Sequence, residues 1–268
     1  MDVDASHDGI VTALIAACSN GHLTCVQKLV SYGAQVNPLN RQQTPLFTAC
    51  AFGFLNIVEY LILHRADHSV LCRLSDETPL MAACRIGHQS ICELLLTCGG
   101  IDVDQQNSSG VTALILASRN GHEQCVAILL NAGATVQLHD FASITALMWS
   151  IRYGFHLCAA VLLQHGADAN EEDLDQITPL RDACRYNNKK CVELLLQYSV
   201  NVNAKDNHGR TPLMYACERC GAETVLLLLK KGASPADCDE SGKSVLEYCS
   251  RDDVTQVIED ANCQHILK

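Results

Sequence analysis

The chain has 268 residues, 30 acidic against 19 basic side chains, and a formal net charge of −11. Hydrophobic residues make up 48% and charged ones 18%, enough apolar material for a core and too little charge for disorder, while the acidic balance argues against a nucleic-acid binder. No stretch approaches 18 consecutive apolar residues, so no membrane helix is expected.

The first residues carry Asp2, Asp4 and Asp8 where a secretory signal would begin with basic residues. The 16 cysteines are therefore expected as free thiols in a reducing, cytoplasmic compartment, with the nucleus as the alternative.

In chain order, a Thr followed two residues later by Leu opens each of a series of units. Thr12, Thr44, Thr78, Thr112, Thr145, Thr178 and Thr211 stand 32, 34, 34, 33, 33 and 33 residues apart, and Ser244 marks a degenerate eighth copy. The units are expected at about 8–40, 41–74, 75–108, 109–141, 142–174, 175–207 and 208–240, with a C-terminal cap at about 241–260 and a tail over 261–268, all as one domain. Each reads as helix, turn, helix, loop. The Thr hydroxyl caps the first helix, and Pro45, Pro79, Pro179 and Pro212 occupy the first helical position, where a missing N–H costs nothing. Gly21, Gly53, Gly87, Gly121 and Gly154 end that helix; Asn187 and Cys220 depart from the pattern. A Leu-rich second helix follows. In the cap, Asp252, Asp253, Glu259 and Asp260 are expected to face water while Val254, Val257 and Ile258 face inward.

The stretches TPLMAACRIGH, TALILASRNGH and TPLMYACERCG, followed by LLQHGADAN or LLKKGASPA, resemble the ankyrin repeat over about residues 8 to 260. The His that usually follows the Leu is replaced by Ile15, Phe47, Met81, Ile115, Met148, Arg181 and Met214. The resemblance implies an all-α solenoid of stacked antiparallel helix pairs with β-hairpin-like fingers. It also implies a protein-interaction scaffold or adaptor whose ligand lies along the fingers and the concave face.

Nine cysteines recur in register and read as small core residues: Cys18, Cys50, Cys84, Cys184 and Cys217, and Cys25, Cys125, Cys158 and Cys191. Cys217 and Cys220 form the only CxxC, and a zinc site there would need Cys238 and Cys249 to complete it. A metal or redox protein built on that pair is the remote alternative. His22, His88 and His122 follow the turn Gly and read as turn and helix-start hydrogen-bonding residues. No phosphate loop, nucleotide fingerprint, zinc-protease or nucleophile-elbow motif is present, so neither catalysis nor a cofactor is expected.

The candidate binding residues come from the register. Seven residues after Thr, four consecutive copies carry Arg85, Arg119, Arg152 and Arg185. The next position gives Phe52, Ile86, Tyr153, Tyr186 and Arg219, and the position four after Thr gives Trp149, Asp182 and Tyr215. Arg beside aromatic residues has the composition of an interface hot spot. Helix spacing of roughly 8–10 Å against about 3.3 Å per extended residue suggests about three ligand residues per repeat. The expected partner is an extended acidic or phosphorylated segment, and Arg152→Glu with Arg185→Glu should abolish binding while leaving the melt unchanged.

A substrate receptor of a larger assembly such as a ubiquitin ligase, a nucleic-acid binder using the arginines, and a structural spacer are the other readings. Asn37, Asn170 and Asn203 occupy the finger position at which ankyrin repeats can be hydroxylated by an asparaginyl hydroxylase, the alternative being turn hydrogen bonding. Residues 168–175 contribute −5 and residues 235–260 contribute −6, so a basic partner is expected only at that finger or at the cap.

Overall fold

The computed structural model describes Asp4, residues 11–38 and residues 42–266, with side chains to 263. The expected start of the first repeat near Asp8 lies outside the described residues. The chain divides into two compact units, Met1–Leu138 and His139–Lys268.

The first unit holds four helix pairs: α1 (Ala13–Ser19) with α2 (Leu23–Ser31), α3 (Pro45–Phe52) with α4 (Leu55–Leu63), α5 (Pro79–Ile86) with α6 (Gln89–Thr97), and α7 (Ala113–Arg119) with α8 (Glu123–Asn131). The second holds α9 (Ala146–Arg152) with α10 (His156–Gln164), α11 (Pro179–Arg185) with α12 (Lys189–Leu195), and α13 (Pro212–Arg219) with α14 (Ala222–Lys230). A 3-10 turn, Val245–Tyr248, and α15 (Asp252–Ile266) follow. Within each unit, first helices pack on first helices and second on second. The described residues contain no strand; the loops form isolated antiparallel bridges at Cys72–Glu77, His139–Thr145 and Cys238–Ser244. No helix of the described residues is long and apolar enough to cross a membrane.

The repeated Thr does what its position demands. Thr12, Thr44, Thr78, Thr112, Thr145 and Thr178 are extended, and each hydroxyl accepts from the backbone N–H three residues on. Thr211 is the exception: its buried hydroxyl has no hydrogen-bond partner. At Thr78 and Thr211 the replacement of His by Met leaves a thioether, which accepts the Thr backbone N–H at 3.5 Å.

The Leu of each repeat, from Leu14 to Leu213, is buried, and each such burial stabilises the fold by about 1.5–3 kcal/mol. Leu246 of the degenerate copy is 36% exposed, since a short 3-10 turn replaces the helix that would carry it inward. In the cap Val254 and Ile258 are buried, Val257 is half-buried, and the four acids face water.

The turn after the first helix is keyed to the next repeat. Gly53 is left-handed at φ +83°, and a Cβ there would stand 2.5 Å from the His88 ring. The ring of His122 occupies the same place beside Gly87 and its Nε2 donates to the Arg85 carbonyl at 3.0 Å. In the second unit Asn188 takes the imidazole's role, its Nδ2 donating to the Ile151 carbonyl at 2.7 Å. His88 and His122 therefore close the preceding repeat's turn rather than only their own. Asn187 adopts the left-handed conformation at φ +55°, whereas Cys220 and Gly221 are both extended, so the α13–α14 turn is made without a left-handed residue.

Eight of the nine cysteines read as core residues are buried, but Cys25 is exposed. The equivalent Cys125 packs toward the preceding repeat, 3.8 Å from the Cys92 sulfur, and no earlier helix pair among the described residues lies over that side of α2.

Candidate functional site

The loop before each first helix is organised by one side chain. Asn107, Asp140, Asp173, Asp206 and Asp239 each stand five residues before the Thr or Ser. One oxygen of each accepts two backbone N–H groups, from the residues two and four further on. That closes the finger.

In the second unit the other oxygen reaches the first helix. Asp140 Oδ2 accepts from Trp149 Nε1 at 3.0 Å, Asp206 Oδ2 from the Tyr215 hydroxyl at 2.9 Å, and Asp239 Oδ2 from the Tyr248 hydroxyl at 2.5 Å. In the copy between, the residue four after Thr is Asp182, which cannot donate. Arg152 of the preceding helix supplies the link, its guanidinium 2.7 Å from Asp182 and 3.3 Å from Asp173.

These tethers correct part of the expected binding surface. Asp182 is 1% exposed and Tyr215 is 6% exposed, so neither meets a partner directly. Asp182 is buried as Arg152's counter-ion, and Tyr215 is held by Asp206 and by Arg181 Nη2 at 2.7 Å. Burial raises the Asp182 carboxyl, with Arg152 opposing it. Asp206 lies below the usual carboxylate range: burial pushes it up, but the Arg210 and His208 backbone N–H groups, the Tyr215 hydroxyl and Arg181 outweigh that. Trp149 is half-buried and stacks on Tyr153, ring centroids 5.8 Å apart.

The arginines divide two and two between the units, and they differ in state. Arg85 pairs with Glu77 at 2.9 Å. The same register recurs with its charges exchanged in the second unit, where Glu218 pairs with Arg210. Arg152 is held between Asp182 and Asp173, which makes it unsuitable for a charge reversal meant to leave the fold intact. Arg119 is exposed, as is Arg185. Arg185 forms no salt bridge among the described residues and lies 5.6 Å over the Tyr186 ring. Arg219 is exposed and pairs with Glu218 at 3.1 Å. Phe52 and Ile86 of the first unit, and Tyr153 and Tyr186 of the second, are exposed.

Two exposed residues were missed by helix-face reasoning: Phe141 and Leu174, each 72% exposed at a finger of the second unit. Both stand four residues before the Thr, directly after the finger Asp, and that register was visible in the sequence.

Arg181, Arg185, Arg210, Tyr215 and Arg219 line a cleft of about 270 Å³ together with Asp175, Ile177, Asn207, His208 and Glu218. Arg210 stacks on both Tyr215 and Tyr248, at 3.9 and 4.4 Å to the ring centroids.

The finger asparagines bridge repeats. Asn37 donates to the Arg65 carbonyl and accepts from the Asp67 N–H; Asn170 does the same with Ser199 and Asn201, and Asn203 with Gly232 and Ser234. On the acidic finger, Asp173 is consumed by the loop and Arg152, and Asp168 accepts from the Asn170 N–H. Glu172 and Asp175 remain exposed.

The CxxC cysteines are both buried. Burial raises both thiols, Cys220 to about 11, and the Cys220 sulfur donates to the Cys184 carbonyl at 3.2 Å. Such thiols are poor sources of the thiolate that metal binding or redox exchange requires. No group of three or more potential metal-ligating side chains is assembled among the described residues.

Models of ankyrin repeats match residues 2–72, 62–140, 138–206 and 194–249. Among curated proteins, the chain is similar to protein phosphatase 1 regulatory subunit 27 of Mus musculus, 38% identical over 68 residues, or 25% of this chain and 44% of that protein. The Homo sapiens protein of the same name is 40% identical over 62 residues, 23% of this chain and 40% of that protein. The matched segments thus span less than half the length of those relatives. Among solved structures, the human ASB11 ankyrin repeat domain is similar with a TM-score of 0.63 and 25% identity, covering 94% of this chain and 98% of that one.

Proposed function

The chain belongs to the ankyrin-repeat family, and on that premise we propose that it is a non-catalytic scaffold or adaptor that binds an extended acidic or phosphorylated segment of another protein. The observation that carries this reading is the state of Arg185. It is exposed, without a salt bridge among the described residues, and stacked on exposed Tyr186, in a unit that also exposes Tyr153, Phe141 and Leu174. Arg supplies a planar fork for an anion, and aromatic side chains supply area that loses water on binding. In the first unit Phe52, Ile86, Arg85 and Arg119 stand in the corresponding register and form a contact surface of their own.

The test is capture of partners from a lysate by the wild-type chain and by Arg185→Glu/Tyr186→Ala, with mass-spectrometric readout. Partners lost from the variant, with its melt unchanged, support the reading; an unchanged partner set refutes it. A basic partner at Glu172 and Asp175 or at the cap acids would be captured equally by both proteins.

A second reading is a substrate receptor within a larger assembly such as a ubiquitin ligase, built on the ankyrin repeat fold that 94% of the chain shares with the human ASB11 domain. It predicts that assembly subunits co-purify in constant ratio with both proteins. Hydroxylation of Asn37, Asn170 or Asn203 is a further proposal for the fingers, checked by intact mass after exposure to an asparaginyl hydroxylase.

A further inference from the structure

The cleft between the α11 and α13 repeats joins several cationic groups whose charges do not all find partners. Arg181 is anchored at its floor. Its side chain is 6% exposed, and its Nη2 is committed to Asp206 at 2.8 Å and to the Tyr215 hydroxyl. Its Nε and Nη1 are buried with no hydrogen-bond partner. Buried guanidinium donors without acceptors carry an uncompensated desolvation cost. The Nε of Arg210, at the same cleft, is also without a partner. Arg185 lines the opening and forms no salt bridge among the described residues.

Charge accounting decides which anion fits. Arg181 is neutralised by Asp206, and Arg210 and Arg219 share Glu218. Of the lining groups that leaves Arg185 and one of the Glu218 pair against Asp175, an excess of one positive charge among the arginines and carboxylates. A carboxylate brings one negative charge and two acceptor oxygens. A phosphomonoester brings ≈ −1.5 to −2 and would leave the cleft with excess negative charge. The cleft of about 270 Å³ has room for a carboxylate side chain.

We propose that this cleft is a carboxylate pocket, in which Arg185, with Arg219 at the exposed rim, meets one acidic group of the bound segment. The proposal rests on the interaction reading above and selects acidic over phosphorylated ligands for it. A carboxylate can come from an Asp or Glu side chain or from a chain terminus, and the test separates them.

The probes are four fluorescent hexapeptide pools, random except at one position, measured by anisotropy against the whole chain. Three are amidated, with Glu, phosphoserine or Gln at the fixed position; the fourth has Gln there and a free C-terminal carboxylate. The expected result is at least tenfold tighter binding of the Glu pool than of the Gln and phosphoserine pools, with Arg185→Gln abolishing that preference. Preference for the free-carboxylate pool, equally dependent on Arg185, supports the pocket and assigns its ligand to a chain end. Equal binding of Glu and Gln, tighter binding of phosphoserine, a preference that survives Arg185→Gln, or no binding by either carboxylate pool overturns it.

Because Arg181 is buried, Arg181→Gln is not used; Arg219→Gln at the exposed rim is the second variant and should weaken the Glu pool by several-fold. Failure here leaves the scaffold reading standing if partner capture still depends on Arg185 and Tyr186. Loss of that dependence with the pool preference intact would instead separate the pocket from the partner surface.

Discussion

The indole N–H of Trp149 donates to Asp140 Oδ2 at 3.0 Å, nine residues upstream. The hydroxyls of Tyr215 and Tyr248 reach Asp206 and Asp239 over the same nine-residue separation. Donors of two chemical kinds, an indole N–H and two tyrosine hydroxyls, thus perform one task, pinning a finger to the helix or 3-10 turn it precedes. Trp149→Phe keeps an aromatic ring for Tyr153 but removes the donor and part of the ring system. It should cost about 1 kcal/mol in urea denaturation followed by circular dichroism. No loss would mean that the link is dispensable.

Arg152 and Arg185 occupy the same register and should respond oppositely to charge reversal. Arg152→Glu places a third carboxylate beside Asp182 and Asp173 and should destabilise the chain by about 3–5 kcal/mol. Arg185→Glu, at an exposed site, should stay within about 0.5 kcal/mol of wild type. Thermal melts of the two single variants check this; equal melts would show that the Arg152 ion triad carries no stability.

Stability should fall in acid in part through Asp206. Its folded-state carboxyl is depressed, so its contribution is fully present above its unfolded pKa, about 3.9, and is lost as pH falls from there through the folded value. Asp182, raised by burial, acts in the opposite sense. Asp206→Asn should therefore be less stable than wild type at pH 7, and the difference should shrink as pH falls below about 4. Denaturation midpoints between pH 3 and 7 measure it; a constant difference would contradict the depressed carboxyl.

Two left-handed glycines separate conformational from steric cost. A Cβ at Gly33 meets nothing within 4 Å, whereas at Gly53 it meets the His88 ring. Gly33→Ala should cost about 1 kcal/mol, the backbone penalty alone, and Gly53→Ala distinctly more. His88→Ala in the Gly53→Ala background should recover part of the difference, as read from denaturation midpoints.

The repeats, the Thr caps and the turn glycines were legible because each is a local rule stated five to seven times over. The chemistry of the face was less so. Trp149, Asp182 and Tyr215 share a register and looked like a row of contacts, but Trp149 and Tyr215 are tied to acceptors on the preceding finger and Asp182 to Arg152 of the preceding helix, which no helix-face argument sees. The clue was there in Asp140, Asp173, Asp206 and Asp239, all five residues before the Thr or Ser. Arg185 differs from Arg85 through one such neighbour: Glu77 precedes Thr78, while Ile177 precedes Thr178.

The fit of one repeat's imidazole against the previous repeat's bare α-carbon also bears on how such a chain changes length. In the first unit Gly53 faces His88 and Gly87 faces His122, so these two successive joints present the same two halves, whereas Gly21 faces the Phe54 ring. Excising the 34 residues from Thr78 through Val111 would bring Gly53 opposite His122 and recreate the joint it removed. Loss or duplication of a whole unit there is a repair of like to like, whereas a cut at Asn188 or Cys220, where the halves differ, leaves unmatched ends.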